Sequence, residues 1–143
     1  MSLPEPEPGL VIRYSYLWLR EHEAGKEEGS KDRPCAIVIN QFHNVGQNFV
    51  VVVPITHSPP LKHQQAIEIP YNVKQHLGLD SDRSWIVIEE SNVFRWPGPD
   101  LARDQTSGKV DYGFLPPRFF DEIRRKFVLA ETSVRSTRVV RTE

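Results

Sequence analysis

Arg33, Thr56 and His57 are the residues of this chain whose types and placement suit phosphate chemistry. An arginine fork holds two phosphate oxygens and stays charged. A threonine hydroxyl donates to a non-bridging oxygen. An unperturbed imidazole titrates near neutrality, so it can take or give a proton. All three sit at the ends of strand-like runs. Residues 31–39 read Lys-Asp-Arg-Pro-Cys-Ala-Ile-Val-Ile, with the cations Lys31 and Arg33 ahead of the aliphatic part. Residues 49–57 read Phe-Val-Val-Val-Val-Pro-Ile-Thr-His, with the polar pair beyond it. The link, residues 40–48, contains Asn-Val-Gly and is short enough for a hairpin. Antiparallel pairing then puts Arg33 beside Thr56 and His57 at one sheet edge. Along an extended chain Thr56 and His57 point to opposite faces. Both reach one phosphate only if the chain turns there, and Ser58-Pro59-Pro60 supplies a turn. Lys31, Lys62 and His63 extend the set as substrate-binding candidates. Each residue also has a plainer reading. Arg33 can pair with Asp32 or a nearby glutamate, Thr56 can bond its own backbone, and His57, Lys62 and His63 can be solvated loop residues.

The elements that must position these residues follow from pattern. Gly9 opens a first strand, in which Leu10, Ile12, Tyr14, Tyr16 and Trp18 alternate with their neighbours at a period of two. Residues 21–32, rich in Gly, Glu and Lys, read as a long mobile loop ending at the Arg33 strand. After the hairpin, residues 66–69 form a short strand. Pro70 then starts a helical turn through Leu77, which Gly78 ends. Residues 84–89, Ser-Trp-Ile-Val-Ile-Glu, form another strand, and residues 90–96 extend it or pair back on it. Pro116 and Pro117 suit the entrance of the one strong helix. Its Phe119, Phe120, Ile123 and Phe127 make an apolar stripe for packing on the sheet. The expected class is mainly β, a small antiparallel barrel or strongly bent sheet with a C-terminal helix and a short helical turn.

Size and composition set outer bounds. A chain of 143 residues suits one domain, here residues 9–130, between a disordered N-terminal segment, 1–8, and a flexible tail, 131–143. A net charge of −1 makes any nucleic-acid site a local patch rather than a property of the whole surface. The single cysteine, Cys35, rules out an internal disulfide and a cysteine-based zinc site, and reads as a small buried hydrophobe. His22, His43 and His76 lack ligand spacing, so no metal or other cofactor is expected. No apolar run reaches membrane-spanning length, and the Pro/Glu-rich start does not resemble a signal peptide. A soluble cytoplasmic protein is the expectation.

Over residues 9–129 the chain resembles the MazF/PemK-like (Kid-type) growth-inhibitor toxins of type II toxin–antitoxin pairs. The resemblance rests on five features. They are the opening strand after Gly9, Arg33-Pro34 before an aliphatic strand, Val53-Pro54-Ile55-Thr56, the strand over residues 84–89, and a closing helix after Gly113. It implies an SH3-like barrel, usually a homodimer, that cuts single-stranded RNA without a metal. It maps the family's arginine and threonine onto Arg33 and Thr56. His57 stands where many relatives carry Ser or Thr. The loop before Arg33 is acidic, with Glu21, Glu23, Glu27 and Glu28.

The leading expectation is therefore attack of a ribose 2′-hydroxyl on the adjacent phosphorus, with Arg33, Thr56 and His57 as catalytic residues. The implied partners are single-stranded RNA and a cognate antitoxin whose disordered segment folds across the groove. Two alternatives remain open: a non-catalytic barrel that binds protein or nucleic acid, and a gyrase-inhibiting toxin of the same lineage.

Overall fold

A computed structural model describes residues 3–25, 29, 31–42, 48–62, 64–132 and 137–141. Its elements run β1 (Leu10–Tyr14), α1 (Leu19–Glu23), β2 (Arg33–Phe42), β3 (Asn48–Thr56), β4 (Ala66–Glu68), α2 (Tyr71–Leu77), β5 (Trp85–Val87), β6 (Glu90–Arg95), β7 (Asp111–Phe114), α3 (Pro117–Glu131) and β8 (Thr137–Val140). The architecture is mainly β, with a C-terminal helix and short helical pieces, as the pattern predicts.

The strands form one eight-stranded sheet along the path β4-β5-β3-β2-β1-β7, with β6 on β3 and β8 on β6. The sheet does not close, and β4, β7 and β8 are its ends. Every pair is antiparallel except β6 with β8. β3 is the hub, pairing with β2, β5 and β6.

Its run Val50-Val51-Val52-Val53 is buried on both faces because each face carries its own core. Val11, Ala36, Val38, Val51, Val53 and Ile55 pack with Val73 and Leu77 of α2 and Phe120, Ile123 and Phe127 of α3. Leu10, Ile12, Tyr14, Cys35, Ile37, Val50, Val52 and Phe94 pack on the opposite side with Tyr16 and Trp18. Alternate residues of one strand thus feed two clusters, as the period of two requires. Full burial of Ile123 and Phe127 stabilises the α3 docking by about 1.5–3 kcal/mol per side chain. Gly78 ends α2 in the left-handed conformation, φ 69°, which glycine adopts without steric cost.

The structure differs from the sequence expectations at four places. β1 stops at Tyr14, although Tyr16 and Trp18 stay buried. Past Tyr14 the backbone bonds elsewhere: Ser15 N–H to the Asp100 carbonyl, and Leu17 to the Asn92 amide in both directions, at 2.9 and 2.8 Å. The expected loop over residues 21–32 begins instead inside α1. Glu90 Oε1 accepts the Leu19 N–H at 3.0 Å and Glu21 Oε1 the Trp18 N–H at 3.1 Å, giving the first turn its missing partners. The expected tail contributes β8, and Arg141 after it is buried. At the other end, Pro6 is buried too, within the segment expected to be disordered. Among the described residues no helix is long and apolar enough to cross a membrane.

Candidate functional site

Strand register places the candidate residues. β2 and β3 pair Cys35 with Pro54, and two more steps along that register bring Arg33 level with Thr56. On the flanks, Tyr14 pairs with Arg33 and Trp85 with Thr56. Arg33, Thr56, His57 and Lys31 all line one cavity of about 600 Å³ at this edge. Lys62 is exposed and lies outside the lining, and His63 falls outside the described residues.

Arg33 is half-buried, with its guanidinium carbon 5.1 Å from the centroid of the Trp18 ring. Burial lowers its pKa, although an arginine remains charged at neutral pH. No ion pair joins it to Asp32 or to any other carboxylate among the described residues, and its buried Nε has no hydrogen-bond partner. Among the described residues no hydrogen bond or ion pair engages the fork, and Glu21 acts on it only at longer range; in that sense it is uncommitted, the state an anion-binding arginine needs. Arg20 also lies over Trp18, at 4.8 Å. Arg13 lies over Tyr112 at 4.7 Å and is loosely paired with Asp104 at 3.5 Å. The lining thus carries Arg13, Arg20, Lys31 and Arg33 against the carboxylates Asp32 and Asp80. In a protein with a net charge of −1, this is a local cationic surplus.

Thr56 Oγ accepts the Ser58 N–H at 3.1 Å. That bond makes the turn predicted at Ser58-Pro59-Pro60, and it leaves the hydroxyl proton free to donate. The turn also resolves the problem of facing, because Thr56 and His57 border the same cavity. The His57 side chain is exposed, and its Nε2 lies 2.7 Å from Asp80 Oδ2. Asp80 is fixed from behind. The buried Lys74 ammonium donates to Asp80 Oδ1 at 2.8 Å, to Ser84 Oγ at 2.8 Å and to the Asp82 carbonyl. Lys74, helped by His57, holds the Asp80 carboxyl below the usual range.

His57, Asp80 and Asp82 bring three potential ligand atoms within 4.8 Å of one another. The Lys74 ammonium already supplies a positive charge at that spot, which opposes a second one.

Sequence reasoning missed Asp80, Lys74, Arg20, Arg13 and Tyr112. No spacing ties Asp80 to His57; the β3–β5 pairing and the end of α2 bring them together. The Trp18 ring is buried, with the Arg20 and Arg33 guanidinium groups over it, so it offers no free face for a base to stack on. Trp85 is buried, and Trp96 packs near Phe94 at 6.1 Å. No protein-family model matches the chain, and no curated protein matches it.

Proposed function

We propose that this protein is a metal-independent endoribonuclease acting on single-stranded RNA. The observation that carries the reading is the uncommitted Arg33 fork, sharing one cavity with the Thr56 hydroxyl and the His57 imidazole. Arg33 holds two oxygens of the scissile phosphate, and Thr56 donates to one of them. With Nε2–H directed at Asp80, the second nitrogen of His57 carries the lone pair that removes the 2′-hydroxyl proton. The 2′-oxygen bonds to phosphorus, the bond to the 5′-oxygen breaks, and that oxygen takes a proton from the imidazolium or from solvent. The products are a 2′,3′-cyclic phosphate and a 5′-hydroxyl. Lys31, Arg20 and Arg13 hold the neighbouring phosphates.

The toxin reading, with a homodimer and an antitoxin segment laid over the same cavity, extends this proposal through the resemblance. Incubation with single-stranded RNA in EDTA, followed by end-group determination, tests the chemistry. Cyclic phosphate ends that disappear with Arg33→Ala support it, and intact RNA at micromolar protein rejects it.

The cationic lining also favours a second reading, a module that binds nucleic acid without cutting it. A phosphodiester is held by Arg33, Arg20 and Lys31 whether or not His57 acts. RNA that binds, releases with salt and stays intact selects this reading.

A further inference from the structure

We propose that Asp80 is the positioning residue of this site: fixed through one carboxylate oxygen by the buried Lys74, it holds the His57 imidazole at the Arg33–Thr56 cavity with the other. The inference rests on the reading of that cavity as a phosphodiester-cleaving site. Three observations carry it.

First, His57 needs an external restraint. Its side chain is 56% exposed and lies in the bend beyond β3, so packing alone leaves its ring rotamers open. The 2.7 Å contact from Nε2 to Asp80 Oδ2 is its one ion-pairing contact among the described residues.

Second, Asp80 is itself anchored, which a surface carboxylate ordinarily is not. Lys74 is almost wholly buried, its side chain 3% exposed, and all its polar contacts converge on residues 80–84. It joins α2 to the entrance of β5, the strand that pairs with Thr56. Restraint therefore passes from the core to the imidazole through one carboxylate.

Third, the polarity suits a general base. A carboxylate on one ring nitrogen fixes the proton there, directs the lone pair of the other nitrogen away, and stabilises the imidazolium once it forms. Asp80 touches no reacting atom in this scheme, so its role is to place His57.

The test compares wild type with Asp80→Ala and Asp80→Glu in two independent measurements. Vicinal couplings between Hα and Hβ of His57 report its side-chain rotamer without reference to activity. Wild type is expected to show one rotamer, Asp80→Ala an average over several, and Asp80→Glu a partial return. Cleavage of a short single-stranded RNA carrying a fluorophore and quencher gives kcat and KM. Asp80→Ala is expected to lower kcat at least about tenfold, since a misplaced base forfeits part of the usual 10²–10⁴-fold contribution. KM is expected to stay within about twofold, because the phosphate-holding arginines are intact.

Unchanged couplings in Asp80→Ala overturn the proposal, as does averaging with no loss of kcat. Averaging in a protein whose wild type cuts no RNA rejects the nuclease reading, yet upholds the restraint of His57 by Asp80. Asp80→Ala leaves the buried Lys74 ammonium without its carboxylate, whereas Asp80→Glu keeps one, so far-UV circular dichroism and urea unfolding verify the fold of each variant before the couplings are read.

Discussion

The Arg33 guanidinium lies 5.1 Å from the Trp18 ring centroid, and no described carboxylate forms an ion pair with it, Glu21 acting only at longer range. The ring faces a cation it can stabilise without occupying the fork, unlike an ion-pair partner. Such contacts are worth about 0.5–2 kcal/mol, growing as water is excluded. Arg33→Lys keeps the charge but loses the planar fork and the stacking surface. Cleavage by Arg33→Lys should therefore fall nearly as far as in Arg33→Ala, while urea unfolding shows folded protein in both. A lysine variant with near wild-type rate would show that charge alone suffices.

Arg141 and Asp100 form a pair at 2.8 Å with side chains 1% and 15% exposed. Arg141 also donates to Tyr14 Oη, the Ser15 carbonyl and Asn92 Oδ1. Removing one partner of a buried pair strands the other, at a cost of about 3–5 kcal/mol. Arg141→Ala should therefore shift the urea midpoint strongly. Arg83 and Glu68 form a bidentate pair in solvent, and Arg83→Ala should change the midpoint little. Equal effects from the two would refute the assignment of Arg141 to the core.

These cases mark what the sequence discloses and what it does not. The β3 valines and the α3 stripe are legible because burial on a strand or helix repeats with the element's own period. The meeting of Arg33 and Thr56 is legible because a short link between two apolar runs nearly dictates their register. β8 is not, since Val139 and Val140 are too few to show a period and their partner β6 lies far away in sequence. Arg141 is a charge, and its burial depends on Asp100 and Asn92, brought together only by the fold. Asp80 reaches His57 for the same reason.

Cys35 is fully buried, and burial pushes its thiol well above the ordinary range. Below about pH 8.5 the thiol is protonated in both the folded and unfolded chains. Above that value the unfolded chain releases the proton and the folded one retains it. The thiol's contribution is thus complete at neutral pH and is lost as pH rises, by up to about 1.4 kcal/mol per unit. Between pH 8.5 and 9.5, stability should fall more steeply in wild type than in Cys35→Ala, measured by urea unfolding. In the same protein iodoacetamide should modify Cys35 only after unfolding.

Gly29 leaves no room for a side chain, because a Cβ there would lie well inside contact distance of the Tyr16 carbonyl. Backbone cannot yield as the end of a flexible side chain can. Gly29→Ala should therefore displace the approach to Lys31 and Arg33 while the two cores persist. The expected result is weaker RNA binding with a nearly unchanged urea midpoint. Unchanged binding would show that this packing does not set the position of the cations.

Salt dependence tests whether the lining meets phosphates at all. Each neutralised phosphate of a single strand contributes about −0.7 to the slope of log K against log salt. Arg13, Arg20, Lys31 and Arg33 border the cavity, and Arg13 is partly offset by Asp104. Two or three phosphate contacts then give a slope of about −1.4 to −2.1. Fluorescence anisotropy of a short uncleavable oligonucleotide bearing 2′-deoxy sugars, titrated at several salt concentrations, measures it. Arg20→Ala should flatten the slope by about 0.7 and weaken binding similarly for different sequences, as a backbone contact does. Lys62→Ala should leave the slope unchanged, because Lys62 stands outside the cavity. A slope near zero would mean that the surplus of positive charge holds no phosphate, and the cavity would then need a ligand of different chemistry.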